Sequence, residues 1–516
     1  MRLIRSPLTA AICCVLATLA QAQSVDPLRD AAQKAIATNP EVAARFNAFR
    51  ASADAVDAAR GAWLPKVDLQ ADVGRTNDRI NSRNPESSSL TRSGVAVQLR
   101  QILWDGLATR NDVGRLGHER LARYFDFIEA SEQTALEAAR AYYDVLRYRR
   151  LVSLAEDSYV QHRYVFNQLQ SRVRAGVGRG VDLEQAGARL ALAESNLATE
   201  VANLHDVTAR YQRIVGEAPP ASMPLTAPFK AGVPTSPGEA MAKALSRNAA
   251  VSASIENLRA ARDAASLRES AFQPVVEARV RAGSGRNLDG VPEQRRDTTA
   301  EITLNWNLFN GGSDRARVRQ QANLVSQAAD LRDKTCRDAR QTALIAYNDT
   351  RKLTDQLGYL DRNVLAIEKA RDAYRQQFDI NQRSLLDLLN AENELFTAKR
   401  SYANAEHDLG IAYVRTQAAL QQLTTQLGLR RIDAADPSAD PATQPPAPDA
   451  NWSAGEDQAA RCPIAPITVT VSDRAELDAR AAKLSASAPP PLVPAAPAAI
   501  TPPAPANPAS APRPRR

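Results

Sequence analysis

The chain has 516 residues, 44% apolar but only 5% aromatic, with 65 basic and 58 acidic residues giving a net charge of +7. Apolar content carried mostly by alanine suits long, closely packed helices, and the interspersed charges give no footprint for nucleic acid. Four scattered histidines (His118, His162, His205, His407) and four cysteines, two of them in the first 14 residues, exclude a histidine-cysteine metal cluster, and no metal or other cofactor is expected.

Residues 1–22 read as a secretory leader. Arg2 and Arg5 form a basic start, residues 8–20 an apolar core, and Ala20-Gln21-Ala22 a small-x-small cleavage site, so the mature chain is expected to begin at Gln23. Cys13 and Cys14 fall inside the removed core and lack the small pair that precedes a lipid-attachment cysteine. Beyond the leader no run approaches the ~18 apolar residues of a membrane helix. An exported chain of this kind crosses a membrane only with strands.

The mature chain is an internal duplication. Asn39-Pro40-Glu41-Val42 recurs as Asn248-Ala249-Ala250-Val251, and at the same offset of 209 Trp63, Pro65 and Gly74 match Phe272, Pro274 and Gly283. Leu103-Trp104-Asp105-Gly106 recurs as Leu308-Phe309-Asn310-Gly311 at an offset of 205. That second offset also relates Ala141-Tyr142 to Ala346-Tyr347, Asp144 to Asp349, Asp182-Leu183 to Asp387-Leu388 and Leu190 to Leu395. The change in offset places an indel, hence a loop, between Gly74 and Leu99. The halves are 23–217 and 238–427, joined by a proline-bearing connector at 218–237.

Each half opens with a helix, over about 26–62 and 238–271, stopped by Pro65 and Pro274. Strict alternation follows. Val67, Leu69, Ala71 and Val73 oppose Asp68, Gln70 and Asp72; Val95, Val97, Leu99 and Leu103 oppose Gln98 and Arg100. In the second half Val276, Ala278, Val280 and Ala282 oppose Glu277, Arg279 and Arg281, and Ile302, Leu304, Trp306 and Leu308 oppose Thr303, Asn305 and Asn307. Period-two patterning means strands with one apolar and one polar face, joined by polar loops at 78–91 and 284–297. Strands of ~10 residues with an apolar exterior fit a membrane barrel with a wet lumen. Trp63, Trp104, Trp306, Phe272 and Phe309 sit at the strand ends, where an aromatic belt meets the membrane surface. A soluble four-stranded sheet is the competing reading. Four strands do not close a barrel, so copies must share it; two would give eight strands and three would give twelve, and patterning does not choose.

Helices then run to about 175 and 380, close to 68 residues each, or ~100 Å. The return helices carry heptads: Leu183, Leu190, Leu197, Leu204 and Tyr211 in one, Leu388, Leu395, Tyr402 and Leu409 in the other, with Ala391, Ala398, Ala405 and Ala412 between. Such alternation means close coiled-coil-like pairing. The return helix from 182 to 215 is half as long as its partner, and segment 238–271 is expected to complete it. Residues 428–516 form a Pro/Ala-rich tail, with 18 of the 31 prolines in the last 84 residues, expected to be largely disordered. Cys336 and Cys462 are the mature cysteines. An oxidising compartment favours a disulfide between them, stapling the tail to the body, over two free thiols.

Catalytic chemistry is not expected. Gly176-Val177-Gly178-Arg179-Gly180 joins two helices without a preceding strand and reads as a hairpin turn instead of a phosphate loop. No nucleophile elbow or paired-histidine motif is present, so the chain is not read as an enzyme.

Together, the leader, the duplicated strand pairs and the hairpin motifs resemble the TolC family of outer-membrane channel proteins over residues 26–427. The stretch from Gln382 through Arg383, Ser384, Leu385, Leu386, Asp387, Leu388, Leu389, Asn390 and Ala391 to Phe396 is similar in style to the type I secretion branch, which exports large adhesins and repeat toxins. The resemblance implies a mixed α and β fold. Three chains of four strands share a 12-stranded transmembrane β-barrel, continuous with a long periplasmic α-helical barrel. It implies a passive gated homotrimer in the outer membrane of a Gram-negative bacterium, in contact with outer-membrane lipid. Its partners would be a periplasmic membrane-fusion (adaptor) protein and an inner-membrane ABC transporter.

At the tip the resemblance implies a latch in which Arg383 of the second hairpin bonds Asp182 of the first, with Phe378 replacing the family's tyrosine. It also implies a constriction ring at Asp387 and Asn390, the second acidic position being asparagine here. Helix capping is the plainer role for Asp182 and Asp387, and Arg383 at an exposed tip is otherwise solvated. A multidrug-efflux channel with a proton-driven efflux pump is the alternative. A periplasmic coiled-coil structural or adaptor protein is a different class, which explains the heptads but not the strands.

Overall fold

The computed structural model describes residues 26–79, 81, 87–225, 230–287, 293–380, 382–435 and 473–487. The leader and Cys462 lie outside them. Helix α1 (Pro27–Thr38) and α2 (Pro40–Arg60) open the first half, α5 (Pro237–Arg247) and α6 (Ala249–Glu269) the second. The single helices expected over 26–62 and 238–271 are therefore each broken, at an asparagine. Asn39 and Asn248 take extended backbone with ψ of 122° and 118°, and their side chains accept from the amides of Glu41 and Val251 at 2.8 Å. Pro40 also forbids continuation in the first half. In the second half alanine follows, so the asparagine cap alone makes the break.

Single 3-10 turns, Gly61–Trp63 and Ser270–Phe272, lead into the strands β1 (Lys66–Arg79), β2 (Ser87–Trp104), β3 (Val275–Arg286) and β4 (Gln294–Asn305). They form one antiparallel sheet in the order β1-β2-β3-β4. Register aligns Val67, Leu99, Val280 and Ala300 on one face and Lys66, Arg100, Arg279 and Glu301 on the other. The strands extend into the stretches expected as loops at 78–91 and 284–297, because backbone pairing such as Arg79 with Ser87 needs no apolar partner. Conversely, Trp306 and Leu308 lie beyond the end of β4.

Gly106, at φ +67°, turns β2 into helix α3 (Ala108–Arg174), and a Cβ there would stand 2.5 Å from that of Gln273. Helix α7 (Ser313–Asp379) is the counterpart of α3, both of 67 residues and so ~100 Å long. Helices α4 (Gly180–Val215) and α8 (Leu385–Ala419) return from the hairpins. On α3, Phe46 and Phe49 of α2 pack at Tyr124 and Phe127, while Leu183 and Ala186 of α4 pack at Val165 and Leu169. Helix α2 thus completes α4. The expected partner, α6, packs instead against α3 and α7, the two helices that α8 also contacts. Heptads fix how much of a long helix its return helix covers, not which other helix finishes the layer.

One aromatic cluster lies where these helices meet. Phe127, Tyr142 and Tyr143 are fully buried among small residues. The repeat-related tyrosines do parallel work: the Tyr142 hydroxyl donates to the carbonyl of Pro224 at 2.7 Å and that of Tyr347 to Thr235 at 2.9 Å. Both ends of the connector are held this way. After α8, a short helix α9 (Leu423–Gln426) is held on α3 by Glu132, whose carboxylate accepts from the amides of Leu423 at 2.6 Å and Thr424 at 3.2 Å. Gln33 of α1 pairs with the backbone of Arg430 in both directions, at 2.7 and 2.9 Å. Within the tail, helix α10 (Arg474–Ser487) stands in a unit of its own.

Gly410 of α8 lies flat against Tyr143, and a Cβ there would come within 2.6 Å of the ring. Gly410→Ala is expected to lower stability by about 1–3 kcal/mol through overpacking, measured as a drop in the denaturation midpoint. Burial raises the Glu132 carboxyl from 4.5 to about 7. Between those values the fold keeps a proton that the unfolded chain has released, so this group's contribution falls as pH rises through the window. Buried His407, shifted downward by desolvation, works in the opposite sense. Glu132→Gln should therefore remove part of the loss of melting temperature between pH 5 and 8; an identical pH profile in the variant counts against it.

Candidate functional site

Two regions carry the candidate function: the sheet and the hairpin tips. Valines and leucines on one face of the sheet stand open, with Leu69 at 72%, Val73 at 80% and Ile302 at 72% exposure. The opposite face is laced with ion pairs. Arg92 meets Asp72 at 3.0 Å, Arg281 meets Asp297 at 3.2 Å, and the buried Glu277 carboxylate takes Arg279 at 2.8 Å together with Arg100. The sheet edges β1 and β4 have no further strand partner among the described residues. No described helix is long and apolar enough to cross a membrane.

At the helix-proximal end of this sheet the structure gathers Trp63, Trp104, Phe272, Trp306 and Phe309, all exposed. Hydrogen bonds fix the turns that carry two of them: Gln101 donates to the Trp63 carbonyl and the Trp306 indole to that of Phe272, both at 3.0 Å.

At the far end of the helices, both hairpins close tightly. The amides of Val177 and Gly178 return to the Arg172 carbonyl at 3.1 Å, and that of Gln382 to Gln377 at 2.8 Å. Phe378 is buried in an apolar cluster with Val165, Leu169, Ala186, Leu385, Leu388 and Leu389, drawn from all four tip helices. The Arg172 guanidinium covers its ring at 5.4 Å. Phe378 is thus held by packing.

Arg383 and Asp182 do not pair within the chain. Arg383 donates to Gln377 at 3.1 Å, lies 3.5 Å from Asp387 and stacks on Tyr374 at 4.7 Å. Asp182 lies in the first turn of α4 without a hydrogen-bond or ion-pair partner among the described residues, so the expected cap by this side chain is not made. Asp387 does take a capping role: Ser384, the N-cap of α8, accepts from the Asp387 amide at 3.3 Å and donates to its carboxylate at 2.9 Å. The Ser384 hydroxyl, with Arg383 nearby, holds the Asp387 carboxyl below its usual value and keeps it charged. Asn390 is exposed, and its side-chain oxygen accepts from Arg189 at 3.1 Å.

Sequence reasoning missed the ties between the hairpins. Arg189–Asn390 joins the two return helices, as does Arg400 with the buried Glu200 at 2.7 Å; Arg375 reaches Gln161 at 3.0 Å. Glu200 left a signal. It falls three residues after Leu197, on the apolar stripe shared by Ala186, Ala193 and Val207, where a charge demands a partner. Arg189, Arg375 and Gln161 sit on polar faces and leave none. Cys336 is buried and disulfide-bonded.

A family model described as outer membrane efflux protein matches residues 31–217 and 240–425, one segment in each half. The chain is 26% identical over 413 residues to the outer membrane efflux protein BepC of Brucella suis, covering 80% of this chain and 89% of that one. It is 23% identical over 428 residues to the outer membrane protein TolC of Escherichia coli, covering 79% and 84%. A shorter match, 26% over 306 residues and covering 56% and 61%, is to the alkaline protease secretion protein AprF of Pseudomonas aeruginosa. The solved structure of the Campylobacter jejuni CmeC outer membrane channel has the same fold, with a TM-score of 0.70 at 15% identity over 77% of this chain and 86% of that chain. On the matched halves, the chain belongs to the outer membrane efflux protein family, that of the TolC-type channels.

Proposed function

We propose that the protein is the outer-membrane exit duct of a tripartite export machine, a passive channel gated at its helical tips. The observation that carries this is the sheet. Its apolar face is exposed, its polar face is ion-paired, and its two edges are open, while the helices beyond run ~100 Å. Open edges are not tolerated in lipid. Copies of the chain therefore close the sheet, and a homotrimer of four-stranded units gives the 12-stranded barrel of the family, in the outer membrane of a Gram-negative bacterium. The helices extend through the periplasm to an adaptor and an inner-membrane transporter.

Type I protein secretion, driven by an ABC transporter, is the reading favoured for the cargo. Support comes from the Gln382–Phe396 stretch and from a relative whose name records protease secretion. Multidrug efflux remains the second reading, supported by the name of BepC. Deleting the gene separates them. Loss of a large protein from the culture medium at unchanged drug tolerance supports secretion, and the reverse supports efflux.

The gate is assigned to the tips. Asp387, held charged by Ser384, forms an anionic ring when three copies meet, and Asn390 leaves that ring single. Asp182, without a partner in its own chain among the described residues, is the acceptor assigned to Arg383 of a neighbouring copy. Planar-bilayer recordings on the full-length protein are expected to give small, cation-selective channels. Asp387→Asn should lower the cation preference, and Arg383→Ser should enlarge the conductance. Unchanged selectivity removes the ring, unchanged conductance removes the latch, and inserted protein without channels returns the chain to a structural class.

A further inference from the structure

The apolar face of the sheet changes character along its length. Register places Arg75 and Arg79 of β1, Arg286 of β3 and Arg296 of β4 on the same face as Val67, Leu99, Val280 and Ala300, toward the end away from the helices. All four arginines are exposed. Three of them fall in stretches whose polar sequence reads as loop, and strand pairing carries them onto the sheet. Along the described strands this face carries no acidic residue. Asp68, Asp72, Glu277, Asp297 and Glu301 all lie on the other face by register.

The two faces therefore treat their arginines differently. On the polar face Arg92, Arg279 and Arg281 each meet a carboxylate. On the apolar face Arg286 and Arg296 have no hydrogen-bond or ion-pair partner among the described residues, and the Arg75 Nε donates to the Ser89 hydroxyl at 2.7 Å. Arg286 pairs with Gln294 and Arg296 with Ser284, so the two arginines are diagonal neighbours, with Cβ atoms about 7 Å apart. Like charges at this spacing repel, and an anion between them relieves the repulsion. Hydroxyls border the arginines: Arg286 stands opposite Ser93 of β2, and Arg75 opposite Thr91.

Height along the strands identifies the anion. Lys66 to Arg75 and Arg296 to Asn305 are each a step of nine residues, ~30 Å of strand and ~23 Å in height at a tilt of ~40°. The apolar band of a membrane barrel is about that tall. Exposed aromatics stand at the helix-proximal end of this band, and the arginines stand at the other. Guanidinium forks match phosphate oxygens, and a cation at a membrane surface attracts anionic headgroups.

We propose that this arginine rim grips the phosphate groups of lipid headgroups in the leaflet farther from the helices. The barrel is then held in height by aromatics at one membrane surface and by phosphate at the other. The inference rests on the barrel reading given above.

The test uses the full-length trimer in neutral detergent. Isothermal titration compares dioctanoyl phosphatidic acid, dioctanoyl phosphatidylcholine and inorganic phosphate. Phosphatidic acid is expected to bind most tightly, and added salt to weaken it. Arg286→Gln with Arg296→Gln should weaken its binding about 25-fold, or about fivefold per arginine, and Arg75→Gln with Arg79→Gln should do the same. Arg92→Gln with Arg281→Gln, on the polar face, should leave it unchanged. Undiminished binding in both rim variants, equal affinity for phosphatidylcholine, or inorganic phosphate binding as tightly as the lipid overturns the proposal. A chain that does not migrate as a heat-stable trimer overturns the barrel reading and the rim with it, whereas a stable trimer with indifferent rim variants overturns the rim alone.

Discussion

A helix of 67 residues has no interior of its own, and everything else in this molecule answers to that fact. Helix α3 is stable over its length only where other helices cover it, and no single return helix is long enough. Cover therefore comes in pairs, α4 with α2 on one flank and α8 with α6 on the other. Alanine and glycine at the contacts let these helices approach closely, which explains a chain rich in alanine and poor in aromatics. Gly410 against Tyr143 shows how little slack remains. One group of aromatics, Phe46, Phe49, Tyr124 and Phe127, lies where α2 meets α3.

The same economy governs the two extremities. At the sheet, alternation separates an apolar face from a face of arginine–carboxylate pairs, so each side suits a different solvent. At the tips the four helices end together and have no further neighbours. There the cluster around Phe378 provides the cover, and polar ties between return helices hold the hairpins in register. The aromatic that loses a hydroxyl at this position gains burial among leucines. The contact made by this ring is one of packing, while the charged groups nearby, Arg383 and Asp387, find partners within their own hairpin.

Much of this was legible in the residues. The duplication was visible from offsets of 209 and 205, and it alone paired Tyr142 with Tyr347, although only the structure gave both the same task of holding a connector carbonyl. Helix lengths and strand faces followed from period. Ends were harder. The strands outran their alternation because hydrogen-bonded backbone continues where side chains are polar on both sides. The opening helices broke at Asn39 and Asn248, whose capping competes with a helix that propensity alone would continue. The partner of α4 was misread because period reports which face is buried and not what buries it. Among tip residues, Phe378 packs in an apolar cluster and Asp387 joins Ser384 in capping α8, whereas Arg383 turns to its own hairpin. A side chain of that length chooses among several acceptors, and sequence does not rank them.

The two tyrosines have a consequence for how the halves are joined. Tyr142 grips the chain as it leaves the first half, and Tyr347 grips it as it enters the second. Each half thus holds one end of the connector with its own copy of the same residue. Between those grips the chain is moored again, since the buried Gln417 amide of α8 donates to the Ala231 carbonyl at 2.7 Å. Fusion of the halves fixes their stoichiometry and their order along the chain, and the repeat-related tyrosines hold the joint from both sides.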